Sequence, residues 1–88
     1  MSASTVNLLR DRLATLAPLD LEIADESHRH AGHAGAREGG HYNVRIVAAV
    51  FAGQGTMARH RLVYAAAGDL MRGQIHALSI NAKAPGEV

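Results

Sequence analysis

The spacing of apolar residues changes period along this chain, and that change constrains its fold more than any other feature. Apolar residues over 6–16 recur at three- and four-residue steps, which is the period of an amphipathic helix. Ser4 or Thr5 can cap the helix at its start, and Pro18 ends it because the residue before a proline is disfavoured in the helical region. Residues 21–25 then alternate between apolar and polar, which predicts a short, half-buried strand.

The second half of the chain repeats this change of period. Residues 41–51 alternate and predict a second strand, and two glycines after it mark a turn. A second helix is expected over 56–71, and the mostly apolar stretch 75–82 predicts a last strand. The expected apolar side of the second helix comprises Met57, Leu62, Val63, Ala66, Leu70 and Met71.

The resulting order is α-β-β-α-β in an 88-residue chain, which is enough for one domain over 1–88. The first two strands should be antiparallel, and the second and third should be parallel with a right-handed crossover through the helix. We therefore predict an α+β fold, a three-stranded mixed sheet covered on one face by helices. Pro85 and Gly86 predict a frayed tail over 84–88.

The segment 28–40 has no apolar run, and its glycines predict a long, flexible loop. It carries His28, His30 and His33, and His41 follows it. Three histidines can bind zinc or copper, although this spacing on a glycine-rich loop is weak evidence for such a site. His28 and His41 are more simply solvated or strand-capping residues.

Composition excludes several classes of function. Without cysteine the chain has no disulfide and no thiolate metal site of its own. A formal charge of +1 gives no overall bias toward polyanions. The chain shows no secretory leader and no apolar run long enough for a bilayer, so a cytoplasmic protein is expected. No motif pairs a nucleophile with a base, so we expect no enzyme.

Three segments together resemble the BolA family: ESHRHAGHAG after the first predicted strand, FAGQGTMARHRLVY at the second helix, and IHALSINAKAP at the last strand. The resemblance spans nearly the whole chain with matching order and spacing, and it implies a KH-like class II topology. One departure is visible: family members often place Ser before the second helix, where this chain has Gly55 and then Thr56. Thr56 is therefore expected to be the N-cap.

The resemblance also implies a function. BolA-like proteins are similar in binding monothiol glutaredoxins and sharing a bridging [2Fe-2S] cluster with them. The family pattern maps the ligands onto His76 and His30, with His33 as the fallback. A partner cysteine and glutathione would supply the remaining ligands. The isolated chain is then expected to bind no cofactor and to be a monomer or a weak homodimer. From the residues alone, His76 is equally a core-edge histidine bonded to the backbone.

The resemblance leaves two points undecided: which residues form the contact surface, and whether the chain has a second function. Arg59, His60, Arg61 and Lys83 are expected to contact the partner or nucleic acid. The simpler interpretation is that the two arginines lie on a solvated helix face and that the histidine packs against the helix. Some BolA proteins regulate transcription, and a basic patch that also includes Arg45 and Arg72 would predict weak, salt-sensitive DNA binding. The GHAG sequence at 32–35 is treated as coincidence, because KH domains place their GXXG loop between helices.

Overall fold

The computed structural model describes residues 4–27 and 40–87. The elements follow the order α1 (Thr5–Leu13), β1 (Asp20–Asp25), β2 (Gly40–Val47), α2 (Thr56–Ala67) and β3 (Ile75–Lys83). One three-stranded sheet has the order β1-β2-β3, in which β1 and β2 are antiparallel and β2 and β3 are parallel. The predicted mixed sheet and α+β fold are confirmed.

Helix α1 begins as its sequence predicts, but it ends at Leu13, before the predicted stop at Pro18. The Ser4 hydroxyl accepts a hydrogen bond from the Asn7 amide at 3.1 Å, so Ser4 is the N-cap. A 3₁₀ turn at Ala14–Leu16 follows the helix, and Ala17 then adopts a left-handed conformation with φ 52° before Pro18. Leu9 and Leu13 of this helix are fully buried, and they hold it against the sheet.

The two faces of the sheet differ sharply. In β2, Val44 and Ile46 are fully buried, while Asn43 and Arg45 between them are exposed. Because side chains alternate across a strand, one face packs against the helices and the other stays uncovered. Neither described helix has the length and apolar content to cross a bilayer.

Two element boundaries differ from the prediction. β2 ends at Val47 rather than continuing to residue 51, because a 3₁₀ turn at Ala49–Phe51 rotates Phe51 into the core, where it is fully buried. α2 ends at Ala67, because Gly68 takes φ +59° and opens a 3₁₀ segment, Gly68–Arg72.

Two side-chain predictions for α2 are also wrong. Met57 was expected on the buried side, but it is 71% exposed. The N-cap is Gly55, whose backbone is extended, and Thr56 is the first helical residue. The helix starts at Thr56, as the predicted range 56–71 does, but Thr56 lies inside the first turn and does not cap it.

The predicted frayed tail over 84–88 is wrong for 84–87. Ala84 is buried, and the Glu87 amide donates to the Ala84 carbonyl at 3.1 Å, which closes a turn. Gly86 enters that turn with φ +90°. Of the predicted loop over 28–40, Gly40 belongs to β2 and the rest lies outside the described residues.

Candidate functional site

His76 occupies an irregular position at the start of β3. Gly40 of β2 is opposite Ile75, and the next residue, His41, is opposite Ala77. His76 is therefore an extra residue in β3 with no register partner, which is the arrangement of a β-bulge. A bulge re-aims its side chain, and His76 is exposed between the buried Ile75 and the half-buried Ala77.

The ring of His41 lies beside the ring of His76. Their centroids are 5.2 Å apart and their planes are inclined by 41°. His41 is half-buried at the start of β2, and the parallel register brings it next to the bulge. Two imidazoles therefore meet at one end of the sheet.

Hydrogen bonds fix the main chain around these two rings. The Ser27 hydroxyl accepts from the His41 amide at 3.0 Å, and the Glu26 amide donates to the His41 carbonyl at 2.8 Å. The Gly40 amide donates to the Gln74 carbonyl at 3.1 Å. These bonds join the end of β1 and the start of β2 to the start of β3.

Gly40 is required here by close approach. A Cβ added to it would lie 2.5 Å from the Ser27 hydroxyl oxygen and 2.6 Å from the Tyr42 phenol oxygen. Both distances are shorter than carbon–oxygen contacts normally allow. The glycine therefore lets β1 and β2 approach each other beside His41.

The predicted ligand His30 and its fallback His33 lie outside the described residues.

The described residues do not complete a metal site. Within 4–27 and 40–87, no three His, Asp or Glu side chains are grouped so as to hold a metal ion. His41 and His76 supply two adjacent imidazoles, and a metal site here would need further donors from elsewhere.

The proximity of His41 to His76 is not predictable from the sequence, in which His41 is more simply a solvated or strand-capping residue. The alternation in β2 places His41 on the face away from the core, but the bulge that turns His76 toward it has no signature in the sequence.

Arg59 lies at the opposite end of β3. Its Nε donates to the Gln54 carbonyl at 2.8 Å, and its Nη1 donates to the Ala82 carbonyl at 3.1 Å. Nη1 and Nη2 also donate to the two carboxylate oxygens of Glu87, at 2.5 and 2.8 Å. The side chain is 14% exposed, so the interpretation of Arg59 as a solvated residue is wrong.

The Arg59–Glu87 pair changes the titration of both groups. The hydrogen bond from Arg59, with a second from the Ala84 amide, lowers the pKa of Glu87 to about 2. The same bond to Glu87 raises the pKa of Arg59 above its ordinary value. Glu87 is therefore ionised throughout the physiological pH range.

The other predicted contact residues divide between two places. His60 and Lys83 line a cleft of about 230 Å³ together with Arg59 and Thr56. Arg61 is exposed on α2, as the solvated-face interpretation predicts.

The basic residues proposed for DNA binding do not share one surface. Arg45 lies on the uncovered face of the sheet, 3.9 Å from Glu22, whereas Arg59 and Arg61 belong to the helix layer on the other face. Arg72 follows the far end of α2. Any nucleic-acid contact must therefore use a subset of these residues.

Comparison with known proteins identifies the relatives of this chain. A family model described as BolA-like protein matches residues 13–87. SufE-like protein 1, chloroplastic/mitochondrial, from Arabidopsis thaliana is 42% identical over 87 residues, which is 91% of this chain and 24% of that protein. The DNA-binding transcriptional regulator BolA from Escherichia coli (strain K12) is 32% identical over 79 residues, covering 84% of this chain and 73% of the relative.

A solved structure agrees with the sequence comparison. The BolA domain of SufE1 from Arabidopsis thaliana superposes with a TM-score of 0.85 at 43% identity, and the match covers 100% of both chains. Since the family model spans most of the chain and the structural match includes every element, this chain belongs to the BolA family.

Proposed function

We propose that this chain is a non-enzymatic accessory protein in iron–sulfur cluster handling, acting in the cytoplasm as a heterodimer with a monothiol glutaredoxin. The observation that carries the proposal is the pair of imidazoles at the start of β3, where His76 is exposed by a bulge beside His41. Ser27, which accepts from the His41 amide at this end of the sheet, precedes His30 by three residues in the sequence.

The chemistry of the donor set supports a shared cluster. An iron–sulfur cluster needs about four ligands, and histidine can replace cysteine on one iron. The chain has no thiolate, and its described residues group no more than part of a metal site. A partner cysteine and glutathione would complete the set, while His76 and His30 would bind one iron. Imidazole in place of thiolate makes the cluster less negative and raises its reduction potential.

His41 enters this proposal in one of two roles. It is either a ligand in place of His30 or His33, or a neighbour that fixes the orientation of the His76 ring. A hydrogen bond from a neighbouring group to a ligating histidine commonly sets its tautomer and basicity. The two roles predict different losses of cluster binding when His41 is substituted.

The test is to mix the purified chain with cluster-loaded monothiol glutaredoxin and glutathione, and to follow visible absorption and circular dichroism. We expect a change in both spectra that His76→Ala abolishes and that the control variant Asn43→Ala, at an exposed position of β2, leaves intact. If His30→Ala also abolishes the spectral change, His30 is the second ligand. If His30→Ala leaves the spectral change intact and His41→Ala abolishes it, His41 is the second ligand. An unchanged spectrum for His76→Ala would show that the ligand assignment is wrong.

DNA binding is the second candidate function, supported by the name of the Escherichia coli relative. It predicts a promoter-dependent mobility shift that weakens as salt rises, because phosphate contacts release counterions. The shift should survive His76→Ala and should weaken in Arg61→Ala, where the exposed cation of α2 is removed. A shift that requires His76 would instead tie DNA binding to the histidine pair.

A further inference from the structure

Arg59 holds a carboxylate supplied by the chain itself, beside a cleft that Glu87 does not line. We propose that Arg59 and the Ala84 amide form a binding site for a carboxylate of an acidic peptide segment, with the adjacent cleft taking a neighbouring side chain of that segment, and that Glu87 occupies the carboxylate position in this structure as an internal competitor. The site lies at the other end of β3 from His76, so the proposal does not rest on the cluster function.

The donors converge as a planar carboxylate requires. The two terminal nitrogens of Arg59 meet the two Glu87 oxygens side by side, which is the fork geometry that gives arginine its selectivity for carboxylates. The Ala84 amide donates to the same Oε1 at 3.0 Å. Three donors therefore surround one carboxylate group.

This arrangement does not depend on Glu87. The Gln54 and Ala82 carbonyls hold the guanidinium through separate bonds. The Ala84 amide follows Lys83, whose carbonyl accepts from the Ala48 amide at 3.0 Å. The donors would keep their directions after Glu87 left, and a site that is already ordered loses little entropy when it binds.

Glu87 is also the more easily displaced member of the pair. Its side chain is 43% exposed, against 14% for Arg59. It lies in a turn whose residues Pro85, Gly86 and Glu87 are all exposed, while burial stops at Ala84. The side chain that would be displaced therefore lies among exposed residues.

The charge around the cleft favours an acidic ligand. Among the residues that line it, Arg59 and Lys83 are cationic and His60 can become so, and none is acidic. Glu87 thus offsets one of two fixed positive charges. A segment with several carboxylates would neutralise both, and the small volume of the cleft suits a side chain rather than a large ligand.

The decisive experiment compares binding of an acetylated, amidated tetraglutamate peptide to the wild-type chain and to Glu87→Gln by titration calorimetry at low salt. We expect Glu87→Gln to bind about 10-fold more tightly, because a competitor no longer occupies the site. Asp69→Asn is the matched control. It removes a carboxylate from the Arg12–Asp69 ion pair, 2.7 Å long and outside the cleft, and should bind like the wild type.

Two further arms decide the ligand and the site. Adding Arg59→Lys to Glu87→Gln should remove the gain, since lysine cannot form the fork. A tetraglutamine peptide should not bind, and inorganic phosphate should bind more weakly than tetraglutamate. Equal binding by wild type and Glu87→Gln would overturn the proposal, and preferential binding of phosphate would overturn its choice of carboxylate.

If a variant fails to fold, peptide binding to the wild-type chain still tests the proposal. In the wild-type chain, millimolar tetraglutamate should shift the nuclear magnetic resonance of the Ala84 amide and the Arg59 Nε–H, and tetraglutamine should not. Absence of both shifts would count against the site as clearly as the calorimetric result.

Discussion

The two ends of β3 present their polar groups by different means. At the histidine end, main-chain geometry positions the rings: a bulge exposes His76, and the parallel register sets His41 beside it. At the arginine end, side-chain hydrogen bonds position Arg59 against two carbonyls and one carboxylate.

This difference indicates which kind of ligand each end of β3 is suited to bind. An exposed imidazole on a fixed backbone, as at His76, can approach groups of another chain, and imidazole nitrogens are effective metal donors. A guanidinium fixed in a fork instead recognises one planar anion. In the two proposals made above, one end of β3 binds a metal cluster and the other end binds a carboxylate.

Close packing at the histidine end gives the largest expected effect on stability. Gly40→Ala places a methyl group against the Ser27 and Tyr42 oxygens. We expect it to lower the free energy of unfolding by about 1–3 kcal/mol, the usual cost of overpacking. Urea denaturation monitored by circular dichroism measures this change. An unchanged midpoint would show that β1 and β2 separate there at no cost.

The arginine end should dominate the acid sensitivity of the fold. Because the folded pKa of Glu87 is lowered to about 2, its ion pair stabilises the fold fully above the ordinary carboxyl pKa of 4.5. That contribution is lost as the pH falls from about 5 to about 2. Glu87→Gln should therefore lower the thermal midpoint at neutral pH and bring it close to the wild-type value near pH 2.

Melting curves between pH 2 and pH 7 provide the measurement. Asp69→Asn offers the comparison, since the hydrogen bond from Arg12 lowers the pKa of Asp69 in the same direction. If Glu87→Gln and the wild type keep a constant separation across this range, the ion pair contributes nothing that depends on pH.

Local periodicity made the fold predictable. The helix and strand periods identified all five elements and the mixed sheet, because each period spans a few neighbouring residues. It also identified the uncovered face of the sheet, where Asn43 and Arg45 alternate with buried residues. The ends of β2 and α2 were placed too late, since Phe51 and Leu70 enter the core from 3₁₀ turns that have no such period.

The sites were less predictable because their contacts are distant in sequence. His41 and His76 meet through strand register, and Arg59 and Glu87 are separated by 28 positions. Neither pairing leaves a local pattern in the sequence. The family resemblance supplied His76 and His30, whereas the partner of Arg59 and the neighbour of His76 required the structure.

The smallest expected effect concerns Gly55, and it tests whether Gly55 and Gly40 are needed for different reasons. Gly55 is the N-cap of α2 with φ −76° and ψ 172°, it has no side-chain cap bond, and a Cβ added to it would meet nothing within 4 Å. Gly55→Ser should therefore stabilise the chain by about 0.3 kcal/mol, since a serine hydroxyl can accept from an amide of the first turn. Gly55→Ala is the control and should destabilise it, because alanine caps worse than glycine. If alanine stabilised as much as serine, the gain would come from a stiffer unfolded chain rather than from capping. Gly40 would then still differ from Gly55, since it is the position where any side chain collides with its neighbours.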